Sequence, residues 1–111
     1  MQVHRLLGAG FQEVIYQRAL AIEFEQQNIA AQRELEMPIY YRQREIGSRR
    51  VDFLVEGKVL LELKALNCLN EAHHAQIINY LEAFRLPIGL LINFGAPSLE
   101  FKRFVKTHPI Y

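Results

Sequence analysis

The chain has little of what marks several large classes of protein. It holds one cysteine, Cys68, so no internal disulfide framework can be built, and a reduced, cytoplasmic setting is the simplest reading. No apolar run approaches the length of a membrane span, and the start lacks a signal-like apolar block, so a soluble protein without a membrane partner is expected. Charge of one sign is also missing: thirteen basic against twelve acidic residues leave a formal charge of +1. Dedicated nucleic-acid binders usually carry a clear basic excess, so any such surface here must be a local patch. There are no internal repeats and no low-complexity tract. What is present is apolar: half of the 111 residues are hydrophobic, which excludes disorder and supports a core for one domain spanning 1–111, not two.

The stretch from Val51 to Ala65 organises the rest. It reads as two short inner strands joined by a tight turn at Glu56-Gly57-Lys58, with Asp52, Glu62 and Lys64 set among apolar residues. Burying one unpaired charge is costly and burying three would be prohibitive. Either the three satisfy one another or they meet a cation. Alternation along a strand points Glu62 and Lys64 the same way, and a hairpin register can bring Asp52 level with Glu62. Two carboxylates with an ammonium beside them suit magnesium, with manganese as a substitute, and such an ion can polarise a phosphoryl oxygen.

Around this centre lie further candidates, each with a plain alternative. Glu13 sits in the first turn of an amphipathic helix read from Phe11 to about Gln27, where any carboxylate is favoured. The stripe Phe11, Ile15, Ala19, Leu20 and Ile22 is its expected buried side, with Gln17 off it. Tyr16 reads as a partly buried tyrosine bonded to a neighbour. Arg49 and Arg50, after a turn placed at Glu45-Ile46-Gly47-Ser48, are the local candidates for holding a phosphodiester, or else solubilising charges at a strand end. Gln76 and Tyr80 share a stripe with His73 on a second helix, Glu71 to Phe84, and can donate to a substrate phosphate, although an exposed face would look alike. His73 and His74 are adjacent and point apart, which argues against zinc. Cys68 shows no base beside it and is not read as a nucleophile.

Three stretches carry a resemblance. Asp52 followed by Glu62-Leu63-Lys64 resembles the metal-binding signature of the PD-(D/E)XK nuclease superfamily. Gly10-Phe11-Gln12-Glu13-Val14-Ile15-Tyr16 is similar to the motif that names its small GxxExxY branch. Gln76-Ile77-Ile78-Asn79-Tyr80-Leu81 resembles that branch's glutamine–tyrosine helix, and Gly89 to Gly95 its late strand. The resemblance implies an α/β fold with a nuclease-like core, a mixed central sheet flanked by helices. It also implies a Mg²⁺-dependent nuclease in which Asp52 and Glu62 hold the metal, Glu13 joins them from the helix, and Lys64 positions or helps activate water. The family's longer first helix is shortened here to Met1–Leu7. Uncovered core would then invite a second subunit, a homodimer.

The remaining elements complete an order of helix, three strands, helix, two strands. Gln32 to Arg44 reads as an edge strand that tolerates Pro38, and its Tyr40, Tyr41, Arg42 and Arg44 mix aromatic with basic groups, as a nucleic-acid surface or a guarded edge would. Asn70 caps the second helix, for which Ala72, Ala75, Ile78, Leu81 and Leu86 are the expected buried side. Ile88 to Phe94 is a central strand, Leu99 to Val105 the last strand, and Thr107 to Tyr111 a frayed end. Three functions stay open: a nuclease acting on nucleic acid, with DNA the expected substrate; a catalytically inactive nucleic-acid-binding or protein-interaction module of the same fold; and a structural protein in which Asp52, Glu62 and Lys64 form a buried ion network.

Overall fold

The computed structural model describes residues 2–108. Helices α1 (Gln2–Leu7) and α2 (Glu13–Gln26) precede strands β1 (Ala31–Tyr41), β2 (Arg44–Val55) and β3 (Val59–Lys64). Helix α3 (Glu71–Ala83) then crosses to β4 (Ile88–Asn93), and β5 (Glu100–Val105) ends the fold. The sheet runs β1-β2-β3-β4-β5, antiparallel except for the parallel β3–β4 pair that α3 connects. The fold is thus α/β, with a mixed central sheet flanked by helices. Among the described residues no helix is long and apolar enough to cross a membrane.

Alternation along β3 builds two cores. Leu61 and Leu63 face α1 and α2, where Val3, Tyr16, Leu20, Phe53, Ile92 and Phe94 close around them. Leu60 faces α3, where Val51, Ile77, Leu81, Leu86 and Leu91 collect. Glu62 shares its parity with Leu60 and is buried with it.

The expected hairpin is present. Phe53 pairs with Leu61 and Val55 with Val59 across a turn in which Glu56 (φ 54°) and Gly57 (φ 68°) are both left-handed. Asn28 (φ 56°) ends α2 in the same conformation. The side chain of Asn70 caps α3 by accepting from the amides of Ala72 and His73.

Several expectations are corrected. The turn placed at Glu45–Ser48 lies instead at Arg42 (φ 50°) and Gln43 (φ 68°), a two-residue hairpin with both residues left-handed. Gly47 pairs with Ile39 inside the ladder, and a bulge follows at Ile39/Tyr40. Edge strand β1 therefore stops at Tyr41, and Arg44 belongs to β2. Helix α2 buries Tyr16, Gln17 and Leu20, while Phe11 and Ile22 are exposed. Tyr16 turns this face inward: its ring stacks on Phe94 at 4.6 Å, and its hydroxyl donates to Gly8 O (2.6 Å) and accepts from Phe11 N (3.2 Å). Helix α3 buries Ile77 and Leu81, whereas Ala72, Ala75 and Ile78 are exposed, because Ile77 and Leu81 sit over the bare backbone of Gly89. At the end of the chain His108 is docked, its Nε2 2.8 Å from Leu86 O, while the expected fraying of Pro109–Tyr111 lies outside the described residues.

Candidate functional site

The site lies where β2 parts from β3. The ladder between them ends at Phe53–Leu61, and the next position would set Asp52 against Glu62. No backbone bond continues it. The Asp52 carboxylate takes over, its Oδ2 accepting from Leu63 N at 2.8 Å and its Oδ1 from Gln17 Nε2 at 3.0 Å. On the other side of β2, Glu34 (φ 52°) interrupts the pairing with β1 opposite Asp52, between Arg33–Phe53 and Leu35–Val51. Both neighbours of Asp52 thereby change core: Phe53 packs toward α2 and Val51 toward α3.

Four elements deliver side chains into this gap. Glu62 is 8% exposed and its Oε1 is buried with no partner. Its carboxyl is pushed up to about 9, first by burial and then by the Asp52 carboxylate within hydrogen-bonding reach, with Lys64 pulling the other way. At neutral pH the carboxyl pair therefore holds a proton. Glu13, at the start of α2, also titrates above its ordinary range. Burial under the rim of the site raises it, Lys64 lowers it and Asp52 raises it, with His73 acting from α3. Tyr80 is raised by burial and by Glu62, against the opposing effect of the Arg49 guanidinium within reach of its hydroxyl.

The structure thus brings Glu13, Asp52, Glu62, Lys64, Tyr80 and Arg49 together. It sets Arg50 on the opposite face of β2, where Nε is 3.4 Å from Glu36 Oε1. Gln76 is exposed on α3. Two further residues belong to the site. Gln17 is 7% exposed and holds Asp52, with its own Oε1 buried and without a partner. The one signal for it in the sequence is its place four residues after Glu13, hence on the same helical face. His73 closes the α3 capping box, its Nδ1 accepting from Asn70 N, and lies within electrostatic reach of Glu13.

Among the described residues no group of three or more His, Cys, Asp or Glu side chains is gathered as a metal cluster. Asp52 and Glu62 form a pair, with Glu13 acting on them electrostatically. The buried, partnerless Glu62 Oε1 beside the Asp52 carboxylate nevertheless suits a hard cation that fills its other positions with water and phosphate oxygens.

A mixed sheet that opens at one strand pair to admit acid, acid and lysine, with a helix glutamate at the rim, is the core of a nuclease-like α/β domain. The model of the PD-(D/E)XK nuclease superfamily matches residues 1–104, and the chain belongs to that superfamily. The fold is similar to the crystal structure of SSO0001, with a TM-score of 0.66 and 20% identity over 87% of this chain. The matched region is 52% of SSO0001, so the chain spans about half of that protein. No curated protein matches.

Proposed function

We propose that the protein hydrolyses phosphodiester bonds of nucleic acid, DNA in the first instance, with magnesium or manganese, as a member of the GxxExxY branch of its superfamily. One observation carries this reading: Glu62 Oε1 is buried without a partner against Asp52, with Lys64 and Glu13 turned to the same gap. Asp52 and Glu62 would hold the cation, and Glu13 would bond its waters. Bound there, the ion supplies Lewis-acid polarisation of a phosphoryl oxygen and a more acidic water.

The chain's own residues do the rest. Leu63 N and Gln17 Nε2 fix Asp52 from behind, so one carboxylate keeps its orientation as the other loses its proton. The Lys64 ammonium orients water and offsets charge developing on phosphate. Tyr80 and Arg49 form a donor pair for the phosphate next to the cut bond, with Gln76 reaching from the exposed face of α3. Arg50 reaches a phosphate only by leaving Glu36.

A second reading is an inactive binding module of the same fold. It is favoured by the missing three-acid cluster among the described residues and by the proton held on Glu62. Calorimetric titration with Mn²⁺ and Mg²⁺, on the wild type and on Asp52→Asn and Glu62→Gln, separates the two, followed by cleavage of labelled single- and double-stranded DNA. Ion binding and cleavage lost together in both variants support the hydrolase. Wild-type protein that binds DNA yet neither binds the ion nor cuts, even with DNA present, supports the module.

A further inference from the structure

Beyond Asp52 the β1–β2 pair leaves the sheet. From Leu35–Val51 to Tyr41–Arg44 it continues as a two-stranded arm, while β3 pairs with β2 only from Phe53 to Val55. Seven residue steps from Val51 to Arg44 at about 3.4 Å each give a reach of roughly 24 Å. Two strands alone are marginally stable in water, and this arm is exposed along most of its length. Its outer face is held by Glu36, which accepts from Ser48 Oγ (2.9 Å) and pairs with Arg50. Its tip exposes large apolar groups: Tyr40 at 61%, Tyr41 at 62% and Ile46 at 66%.

The charge on this arm is not that of the whole chain. From Leu35 to Val51 the arm holds four arginines and two glutamates, one of them, Glu36, paired with Arg50 on the outer face, in a protein whose net charge is +1. Two of the arginines, Arg49 and Arg44, lie along one face. Arg49 lies at Tyr80 in the site, with Met37 as its cross-strand partner. Two positions along β1 from Met37 is Ile39, opposite Gly47, and two further is Tyr41, opposite Arg44. Alternation puts Met37, Ile39 and Tyr41 on one face, so Arg49, Tyr41 and Arg44 form a line running outward from the site. Arg42 lies over the Tyr41 ring, 5.8 Å from its centroid. Gly47 leaves a bare stretch of backbone in the middle, with nothing within 4 Å of the space a Cβ would take.

We propose that this face of the arm is a track for an unpaired nucleic-acid strand flanking the scissile phosphate. Resting on the proposed hydrolase, this assigns the substrate a single-stranded region on one side of the cut, laid along the roughly 24 Å of the arm. Arg44 and Arg42 meet phosphates, and the Tyr41 ring, backed by the Arg42 guanidinium, stacks on a base. The occupant is nucleic acid because Arg49, Arg44 and the exposed Tyr41 ring share a face that begins at the site.

The test is fluorescence anisotropy in chelator, with a labelled 20-nucleotide single strand and a blunt 20-base-pair duplex. The variants are Arg42→Glu/Arg44→Glu and Tyr41→Ala, all at exposed positions whose unfolding transitions should match the wild type. The expected result is at least tenfold weaker binding of the 20-nucleotide strand by each variant, with binding of the blunt duplex much less affected. For the double arginine variant, the slope of log affinity against log salt should fall by about 1.4, two contacts at about 0.7 each. Unchanged affinity for the long strand overturns the track, as does an equal loss for the single strand and the duplex. Loss on the blunt duplex alone overturns the unpaired-strand assignment. A wild-type dimer that becomes monomeric in the arm variants identifies a self-interface instead. Failure of the hydrolase reading is told apart by Mn²⁺: wild type that binds the long strand through the arm but never cuts it loses the chemistry and keeps the track.

Discussion

Replacing Glu62 by glutamine should change how stability depends on pH more than it changes stability at any one pH. In the folded protein the Glu62 carboxyl is raised to about 9 from 4.5, chiefly by burial. In the unfolded chain it returns to about 4.5. Below that pH both states are protonated and the group adds no pH dependence. As pH rises, the unfolded state sheds the proton while the folded state keeps it, so stability is lost steadily until the folded carboxyl itself ionises near 9. Each pH unit in this window is worth about 1.4 kcal/mol, so between pH 5 and pH 8 the ceiling is about 4 kcal/mol. Water entry and local relaxation reduce it, and about 2 to 4 kcal/mol should be measured. A domain of this kind is stable by only about 5–15 kcal/mol, so the effect is a large share of the whole.

Glutamine copies the protonated carboxyl in shape and removes the titration. Urea unfolding of both proteins in chelator at pH 5, 6.5 and 8 should give curves that diverge, with Glu62→Gln gaining on the wild type as pH rises. On the proposed metal site, magnesium should restore stability to the wild type at pH 8 and not to the variant. Profiles that run parallel within about 0.5 kcal/mol would show that Glu62 is not held protonated in the fold, and the buried-pair account of the site would fall.

Asp52→Ala should destabilise by about 2–3 kcal/mol, because Leu63 N and the Gln17 amide both lose their acceptor. The sequence alone suggests that this change removes a ligand and leaves the fold intact; Asp52→Asn is the variant that keeps the shape, and urea midpoints will rank the two. Gln17→Leu should raise the Mn²⁺ dissociation constant about tenfold by calorimetry with little loss of stability, since it deletes a buried Oε1 that has no partner along with the bond to Asp52. An unchanged ion affinity would leave Gln17 a packing residue. Gly95→Ala should cost about 3 kcal/mol in chemical unfolding, since a Cβ there would come within 2.4 Å of Leu66 N and 2.5 Å of the Ala65 carbonyl carbon.

Much of the body of the fold was legible because local and long-range demands agree there. Gly57 permits the turn that the apolar runs on either side require, and the unbroken apolar run of β4 belongs to a strand buried on both faces. Where they disagree, pattern misleads. Gly47-Ser48 has the chemistry of a turn, yet it sits in the ladder, and the turn falls on Arg42 and Gln43, neither of which advertises a left-handed backbone. The apolar stripe of α2 points through Phe11 and Ile22, but the helix is rotated by the stacking of Tyr16 on Phe94 and the bond from Gln17 to Asp52. Both partners are distant in sequence, so the pattern of the helix alone carries no trace of them. Arg49 and Arg50 could not both face the site, since neighbours on a strand alternate. Which one does depends on the distortion at Glu34 and Asp52, invisible in a one-dimensional pattern.

That distortion ties the chemistry of the site to the direction of the arm. A regular ladder past Phe53–Leu61 would pair Asp52 with Glu62 through backbone bonds and leave no gap between the strands. Here Leu63 N is satisfied by a side chain, so the strands separate without leaving a buried donor unpaired. The separation has two effects. It opens the space in which Glu62 loses water without gaining a partner for Oε1, and it turns Val51 and Arg49 toward α3, so that the arm leaves the body with its basic face continuous with Tyr80. One carboxylate sets both the gap at Glu62 and the direction of the arm along which the proposed strand would approach it. A substitution at Asp52 that frees Leu63 N should therefore disturb strand binding on the arm as well as ion binding in the gap, whereas Glu62→Gln should disturb only the second.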